Sequence, residues 1–247
     1  MYRSLSKKIF HIIIITIIIF VILCIAGIFV LRYQVEGESN MPFYIKKISL
    51  IESVEGIETE GSTEKWNFNV NQNNDIYVYI EKNDQYNKTE IIESVKIDNI
   101  KINKENNTGK VKIYKPVIDE KRMFINKVEN EVNEIIYNGD LESNVKEQKI
   151  SNQGGKVAFR YAINNVSQYI SENDSEIDHS KLLKLTNIKP EDLQTKIFFD
   201  ITIKLKSGKI YQTTIDLDIP SQDIIEEGTK GIEITDLNNI IFKRIEN

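Results

Sequence analysis

Two hydrophobic periods divide the chain. From Phe10 to Leu31 every residue is apolar apart from His11 and Thr16, with Ala26 and Gly27 near the far end. At about 1.5 Å of rise per residue a helix of that length covers roughly 33 Å, against about 30 Å for the hydrocarbon core of a bilayer. The β-branched residues Ile12, Ile13, Ile14 and Ile15 make a poor helix in water. In lipid they must be helical, because no other single segment satisfies its own backbone groups. Beyond this run the period falls to two. Trp66, Phe68 and Val70 alternate with asparagines, and Ile76, Val78 and Ile80 alternate with Tyr77 and Tyr79. The clearest unit places Ile197, Phe199, Ile201, Ile203 and Leu205 on one face, turns at Ser207-Gly208, and returns through Tyr211, Thr213, Ile215, Leu217 and Ile219. Gly208 supplies the positive φ such a hairpin turn uses. The same alternation predicts strands over residues 43–53, 93–103, 110–115, 156–163 and 232–245, with Gly154-Gly155 turning the chain just ahead of the strand from Lys156.

Helical spacing is scarce. Phe124, Val128, Val132 and Ile136 recur at four and fit a helix, although residues 132–137 also fit a strand. Residues 180–186 suit a short helix, and Pro190-Glu191-Asp192-Leu193 reads as a single turn with proline at its first position. Many strands at spacings near ten residues, with few helices, predict a mainly β fold: an N-terminal transmembrane helix followed by an antiparallel, Ig-like β-sandwich, as one sandwich or two. The expected division is a short basic tail over 1–9, the transmembrane helix over 10–31, a juxtamembrane linker over 32–42, and sandwich parts over 43–118 and 119–247.

The apolar segment is expected to stay in place as an anchor. Cleavage after Ala26 would satisfy the small-residue rule of signal peptidase, but the apolar stretch exceeds the usual signal core and no helix-breaker precedes the site. A lipoprotein cysteine needs a small residue before it, and Leu23 precedes Cys24. A type IV pilin leader would end in glycine and be followed by a glutamate within the apolar helix, and neither is present. Within ten residues of the span Arg3, Lys7 and Lys8 precede it and only Arg32 follows, with Lys46 and Lys47 further on. The charge rule then puts the N-terminus in the cytoplasm and the C-terminal domain outside it.

Charge removes one class of partner. The first 32 residues hold four cations and no acid, so with the whole chain at −5 the part from Tyr33 onward carries −9. A domain that acidic lacks the basic face that nucleic-acid phosphates require. Isoleucine, lysine and asparagine are abundant throughout, which lowers the weight of any motif built from lysine or asparagine. The only cysteine, Cys24, lies in the span, so the domain has no disulfide, thiolate nucleophile or cysteine metal site.

Candidate chemistry is thin. Ser62-Thr63-Glu64-Lys65, Ser171-Glu172-Asn173 and Lys206-Ser207-Gly208 reproduce the three short motifs of penicillin-binding enzymes in order. That chemistry needs the first serine and lysine on one face of a buried helix start. Here Ser62 precedes an alternating strand and Lys206-Ser207-Gly208 is a hairpin turn, so solvated loop residues are the plainer reading. Glu172, Asp174, Glu176, Asp178 and His179 would gather carboxylates on one face of an extended segment and suit a cation such as Ca²⁺, yet no glycine supports a tight ligand loop. The run Asn69-Val70-Asn71-Gln72-Asn73 opens like an EF-hand loop but lacks the sixth-position glycine and has Ile80 at the twelfth. His179 is the domain's only histidine, with no G-x-S-x-G elbow to serve. No nucleotide-binding glycine motif occurs, and no pair among the 37 acids is singled out for glycosidase work. Trp66, Tyr77 and Tyr79 fit either a sugar-stacking platform or cross-strand packing. No residue is therefore assigned as catalytic, cofactor-binding or metal-binding.

The basic start, the isoleucine-rich span and the phrases VEGESNMPF, NQGGKVAFRY and EITDLNNIIFKR resemble membrane-anchored single-pass proteins of low-GC Gram-positive bacteria. The resemblance covers nearly the whole chain and implies an address at the cell membrane without an activity. The expectation is a non-enzymatic, membrane-anchored, extracytoplasmic β-domain that binds a protein or a component of the cell envelope. A membrane-tethered hydrolase and a bitopic subunit of an envelope assembly are the alternatives.

Overall fold

The computed structural model describes residues 2–30, 41–59, 66–86, 89–104, 106, 108–117, 121–139, 148–171 and 177–245. Helix α1 (Tyr2–Val30) contains the apolar run, and from Lys7 to Val30 it is long and apolar enough to cross a membrane. The two polar side chains inside the apolar run turn back onto the helix. Thr16 Oγ1 donates to the Ile12 carbonyl at 2.9 Å, and His11 Nδ1 lies 2.7 Å from the Lys7 carbonyl, to which it donates as the Nδ1–H tautomer. An apolar helix whose polar groups are satisfied internally suits a medium without water.

The rest is a sandwich of two sheets. The strands are β1 (Phe43–Glu58), β2 (Asn67–Lys82), β3 (Ile92–Lys104), β4 (Lys110–Tyr114), β5 (Ile135–Asn138), β6 (Gln148–Lys149), β7 (Gly154–Ile170), β8 (Thr195–Leu205), β9 (Ile210–Ile219), β10 (Thr229–Ile234) and β11 (Lys243–Ile245). One sheet has the order β10-β1-β2-β7-β4 and is called sheet A; the other, sheet B, has the order β11-β9-β8-β3-β5-β6. All pairings are antiparallel except β5 with β6. The expected hairpin is β8–β9, with Gly208 at φ 83° in its turn.

Inward-facing residues of both sheets form one apolar cluster, including Ile48, Leu50, Ile76, Val78 and Phe159 from sheet A and Val95, Ile97, Ile197, Phe199 and Ile201 from sheet B. Phe159 and Phe199 meet edge to face across the interface, with ring centroids 5.0 Å apart. Polar stitches join the layers as well. Tyr161 and Thr195 share a hydroxyl–hydroxyl bond of 2.7 Å. The Tyr137 hydroxyl on β5 donates to the Ala158 carbonyl at 2.5 Å and accepts from the Ala158 N–H at 2.9 Å. Ala158 lies just beyond the stretch of β7 that β4 covers, so a side chain of sheet B satisfies backbone groups that β4 leaves open. Each sheet takes strands from both sides of residue 118, so the expected parts 43–118 and 119–247 are interleaved in both layers.

The helix expected through Phe124, Val128, Val132 and Ile136 does not form. That segment holds a 3₁₀ turn at Val128–Asn130 and then β5. Its backbone is spent elsewhere: Asn130 accepts from the Lys115 N–H, and the Val132 N–H donates to Ile113, against the edge of β4. Phe124 is buried while Val128 is 83 % exposed, so the four-residue spacing does not correspond to one buried face. The expected strand over 232–245 is split into β10 and β11, in different sheets. Residues 180–186 become a 3₁₀ turn, His179–Lys181, followed by a helical turn, Leu182–Leu185, and Pro190–Leu193 is the expected single turn.

Candidate functional site

β2 is a single strand that runs straight through the polar sequence Asn71-Gln72-Asn73-Asn74-Asp75, all of it buried. The alternation of the strand sends these side chains to two places. Gln72 and Asn74 point into the sandwich beside Glu52 of β1, which pairs with Asn74 in register. Asn73 and Asp75 point outward, on the same face as Tyr77, and Asp75 pairs in register with Arg160 of β7.

The outward set makes the floor of a groove of about 760 Å³. The Arg160 guanidinium grips the Asp75 carboxylate with two bonds, Nε to Oδ1 at 2.5 Å and Nη2 to Oδ2 at 3.0 Å. Its Nη1 donates to Asn126 Oδ1 at 3.1 Å, Asn126 Nδ2 donates to Asn73 Oδ1 at 2.7 Å, and Asn73 Nδ2 donates to Glu55 Oε2 at 3.2 Å. Five planar polar side chains from β1, β2, β7 and the segment after Arg122 are thus locked into one chain of hydrogen bonds. Phe124 holds that segment in place: Arg160 stacks over its ring at 5.1 Å and Tyr77 meets it edge-on at 6.3 Å. Lys156 lies 4.9 Å above the Tyr77 ring. Burial pushes the Tyr77 hydroxyl up to about 12, and burial also raises the Asp75 carboxyl against the pull of Arg160. Arg122 and His179 stand at the groove's border.

On the inner face Glu52 is 1 % exposed, and burial pushes its carboxyl up to about 7. Gln72 Nε2 donates to Glu52 Oε1 at 3.3 Å and to Asn74 Oδ1 at 3.2 Å. This cluster faces away from the groove, on the other side of sheet A.

Apart from Asn73, which belongs to the hydrogen-bond chain, the sequence candidates fall outside this groove, with two exceptions. Ser62, Thr63, Glu64 and Lys65 lie outside the described residues, as do Glu172, Asn173, Asp174 and Glu176. Ser171 is buried at the end of β7, where its Oγ accepts from the Trp66 N–H at 3.0 Å while its own N–H donates to the Trp66 carbonyl, so it closes the β2–β7 ladder. Lys206-Ser207-Gly208 is the β8–β9 turn in the other sheet. Asp178 caps the turn at His179–Lys181, accepting from the Ser180 N–H at 3.0 Å and hydroxyl at 2.6 Å, and bonds Lys181 at 3.2 Å. Those bonds hold its carboxyl below the usual range. His179 packs edge-on against Phe68 at 5.1 Å and borders the groove, the first exception. Residues 69–73, read as an EF-hand opening, are strand rather than loop. Trp66 stacks on Phe68 away from the groove, and Tyr79 lies under Lys47, so the three aromatics form no common platform; Tyr77, which lines the groove, is the second exception. No group of three or more His, Cys, Asp or Glu side chains converges for a metal among the described residues.

Glu55, Asp75, Asn126 and Arg160 were not singled out by sequence reasoning, and Asn73 was named only as the end of the run read as an EF-hand opening. Their one local signal is the failure of alternation in β2, where five polar residues in a row are carried by a strand with apolar alternation on both sides. Comparison with protein-family models, curated proteins and solved structures returns no match for this chain.

Proposed function

We propose that this chain is a membrane-tethered binding protein whose acidic β-sandwich stands outside the cytoplasm and engages a component of the cell envelope through the groove on sheet A. The observation that carries this reading is the preformed hydrogen-bond chain from Glu55 through Asn73, Asn126 and Arg160 to Asp75. Side chains already fixed in place lose little freedom when a ligand arrives, which favours recognition. Within the groove the carboxylate of Asp75 is matched to a guanidinium rather than poised beside a nucleophile. The cations Arg3, Lys7 and Lys8 ahead of the apolar run support the outward orientation.

A C-terminal tag tests the address. Protease added to intact cells is expected to remove the tag, and protection until lysis would overturn the outward orientation. The full chain in detergent is expected to retain a component of solubilised envelope, and Asn126→Ala is expected to release it. Equal retention by the two proteins would remove the groove from the reading.

A further inference from the structure

We propose that the groove on sheet A is a saccharide site that takes a short neutral glycan. This rests on the reading of the chain as an envelope-binding module and supplies the chemical class of what it binds. The first argument is that the β2 floor of the groove offers a ligand side chains only. β2 lies between β1 and β7 with both ladders formed along the groove floor, so its N–H and C=O groups are already committed. An extended peptide gains its affinity from such groups and finds none to join along β2. The second is charge. Glu55 and Asp75 are balanced by Arg122 and Arg160, so the lining itself is neutral, with Lys156 over Tyr77 a further charge beside it, in a domain of net negative charge. A phosphorylated ligand or a divalent cation would meet no net field of opposite sign.

The third argument is the match to hydroxyl groups. The half-buried Glu55 carboxylate and Asn126 amide retain donor and acceptor positions beyond those spent in the network. A sugar hydroxyl both donates and accepts, so neighbouring hydroxyls on one ring can bridge an amide and an adjacent carboxylate. Tyr77, half-buried beside this polar floor and backed by Phe124, adds aromatic carbon, which suits the C–H face of a pyranose. The volume of about 760 Å³ lies in the range of small-molecule sites and accommodates a short oligomer.

The test uses the full chain in detergent, titrated by calorimetry with β-linked tetramers of N-acetylglucosamine, glucose and galactose. At least one tetramer is expected to bind saturably. Asn126→Ala and Glu55→Gln are each expected to weaken that binding by about tenfold, the loss of one good hydrogen bond, with the melting temperature held as a control on folding. Absence of saturable binding by all three tetramers at millimolar concentration overturns the proposal. Binding unchanged in both variants overturns it too, because the sugar would then sit elsewhere. If the wild type retains an envelope component that Asn126→Ala releases, yet no tetramer binds, the saccharide assignment falls and the binding-module reading stands. Failure of both experiments removes both.

Discussion

Glu52 and Asp75 occupy neighbouring strands on opposite faces of sheet A, and burial raises the carboxyl of each. Their partners differ. Asp75 has a two-bonded guanidinium, whereas Glu52 has one amide hydrogen bond at 3.3 Å, and beside it Gln72 Oε1 and Asn74 Nδ2 find no partner among the described residues. The nearby Lys230 and Asp223 act on Glu52 in opposite directions and bond each other at 2.7 Å. The folded chain therefore holds the Glu52 proton up to about pH 7, while an unfolded chain releases it near 4.5. A raised carboxyl contributes stability that is complete below the unfolded value and is lost as pH climbs through the folded one. The window runs from about 4.5 to about 7 and corresponds to at most about 3 kcal/mol. Glu52→Gln keeps an amide partner for Gln72 without the charge. It is expected to melt higher than the wild type at pH 8, to match it near pH 4.5, and to flatten the fall between them. Parallel pH profiles for the two proteins would show that Glu52 is not the titrating group. Asp75 is a different case, because neutralising it would leave Arg160 buried without its counter-ion.

At the scale of elements, two glycines in left-handed backbone separate a solvent turn from a packed junction. Gly208 has φ 83° in the β8–β9 turn, with nothing within 4 Å of where a Cβ would stand. Gly228 has φ 72° where the short helix Gln222–Glu227 gives way to β10, and a Cβ there would fall 2.1 Å from the Ser180 carbonyl oxygen. Gly208→Ala is expected to cost about 1–2 kcal/mol, the intrinsic penalty of the left-handed region. Gly228→Ala adds a backbone collision to that penalty and must displace the turn carrying His179 at the groove's border. Urea melts of the two variants are expected to place Gly228→Ala several kcal/mol below wild type, at roughly the upper end of single-substitution effects. Equal costs would mean that the junction yields freely. Gly208 was legible because its turn is local: strict alternation on both sides fixes the hairpin within one stretch of sequence. The apolar run of α1 was legible for the same reason. The segment through Phe124 and Val132 was not, since its own backbone bonds stop at a 3₁₀ turn and the rest reach across to Ile113 and Lys115 at β4. The groove was hidden by distance: Asp75 and Arg160 are 85 residues apart and meet only because β2 and β7 pair in that register. His179 and Tyr77 were noticed as types of residue, but no sequence spacing placed them on one groove.

For the whole molecule, the decisive feature is how often the chain changes sheet. β1 and β2 lie in sheet A, β3 in sheet B, β4 back in A, β5 and β6 in B, β7 in A, β8 and β9 in B, β10 in A and β11 in B. A break at residue 118 would leave sheet A without β7, which joins β2 to β4, and sheet B without every neighbour of β3. The part after the break would hold β8 with an open flank where β3 belongs and β10 without β1. The buried cluster is likewise shared, since Ile48, Leu50, Val95 and Ile97 on one side of the break pack with Phe159, Phe199, Ile201 and Ile215 on the other. Neither part encloses a core of its own, and a layer that cannot cover its apolar face does not fold alone. A soluble chain of residues 41–247 is accordingly expected to unfold in one cooperative transition, with calorimetric and van't Hoff enthalpies equal. Residues 43–118 and 119–247 made separately are expected to lack a thermal transition, and to regain one when mixed. Two resolved transitions in the intact domain, or a cooperative melt from either part alone, would instead divide the sandwich into independent units, and the groove, which draws on both parts through Asp75 and Arg160, would then lie across their boundary.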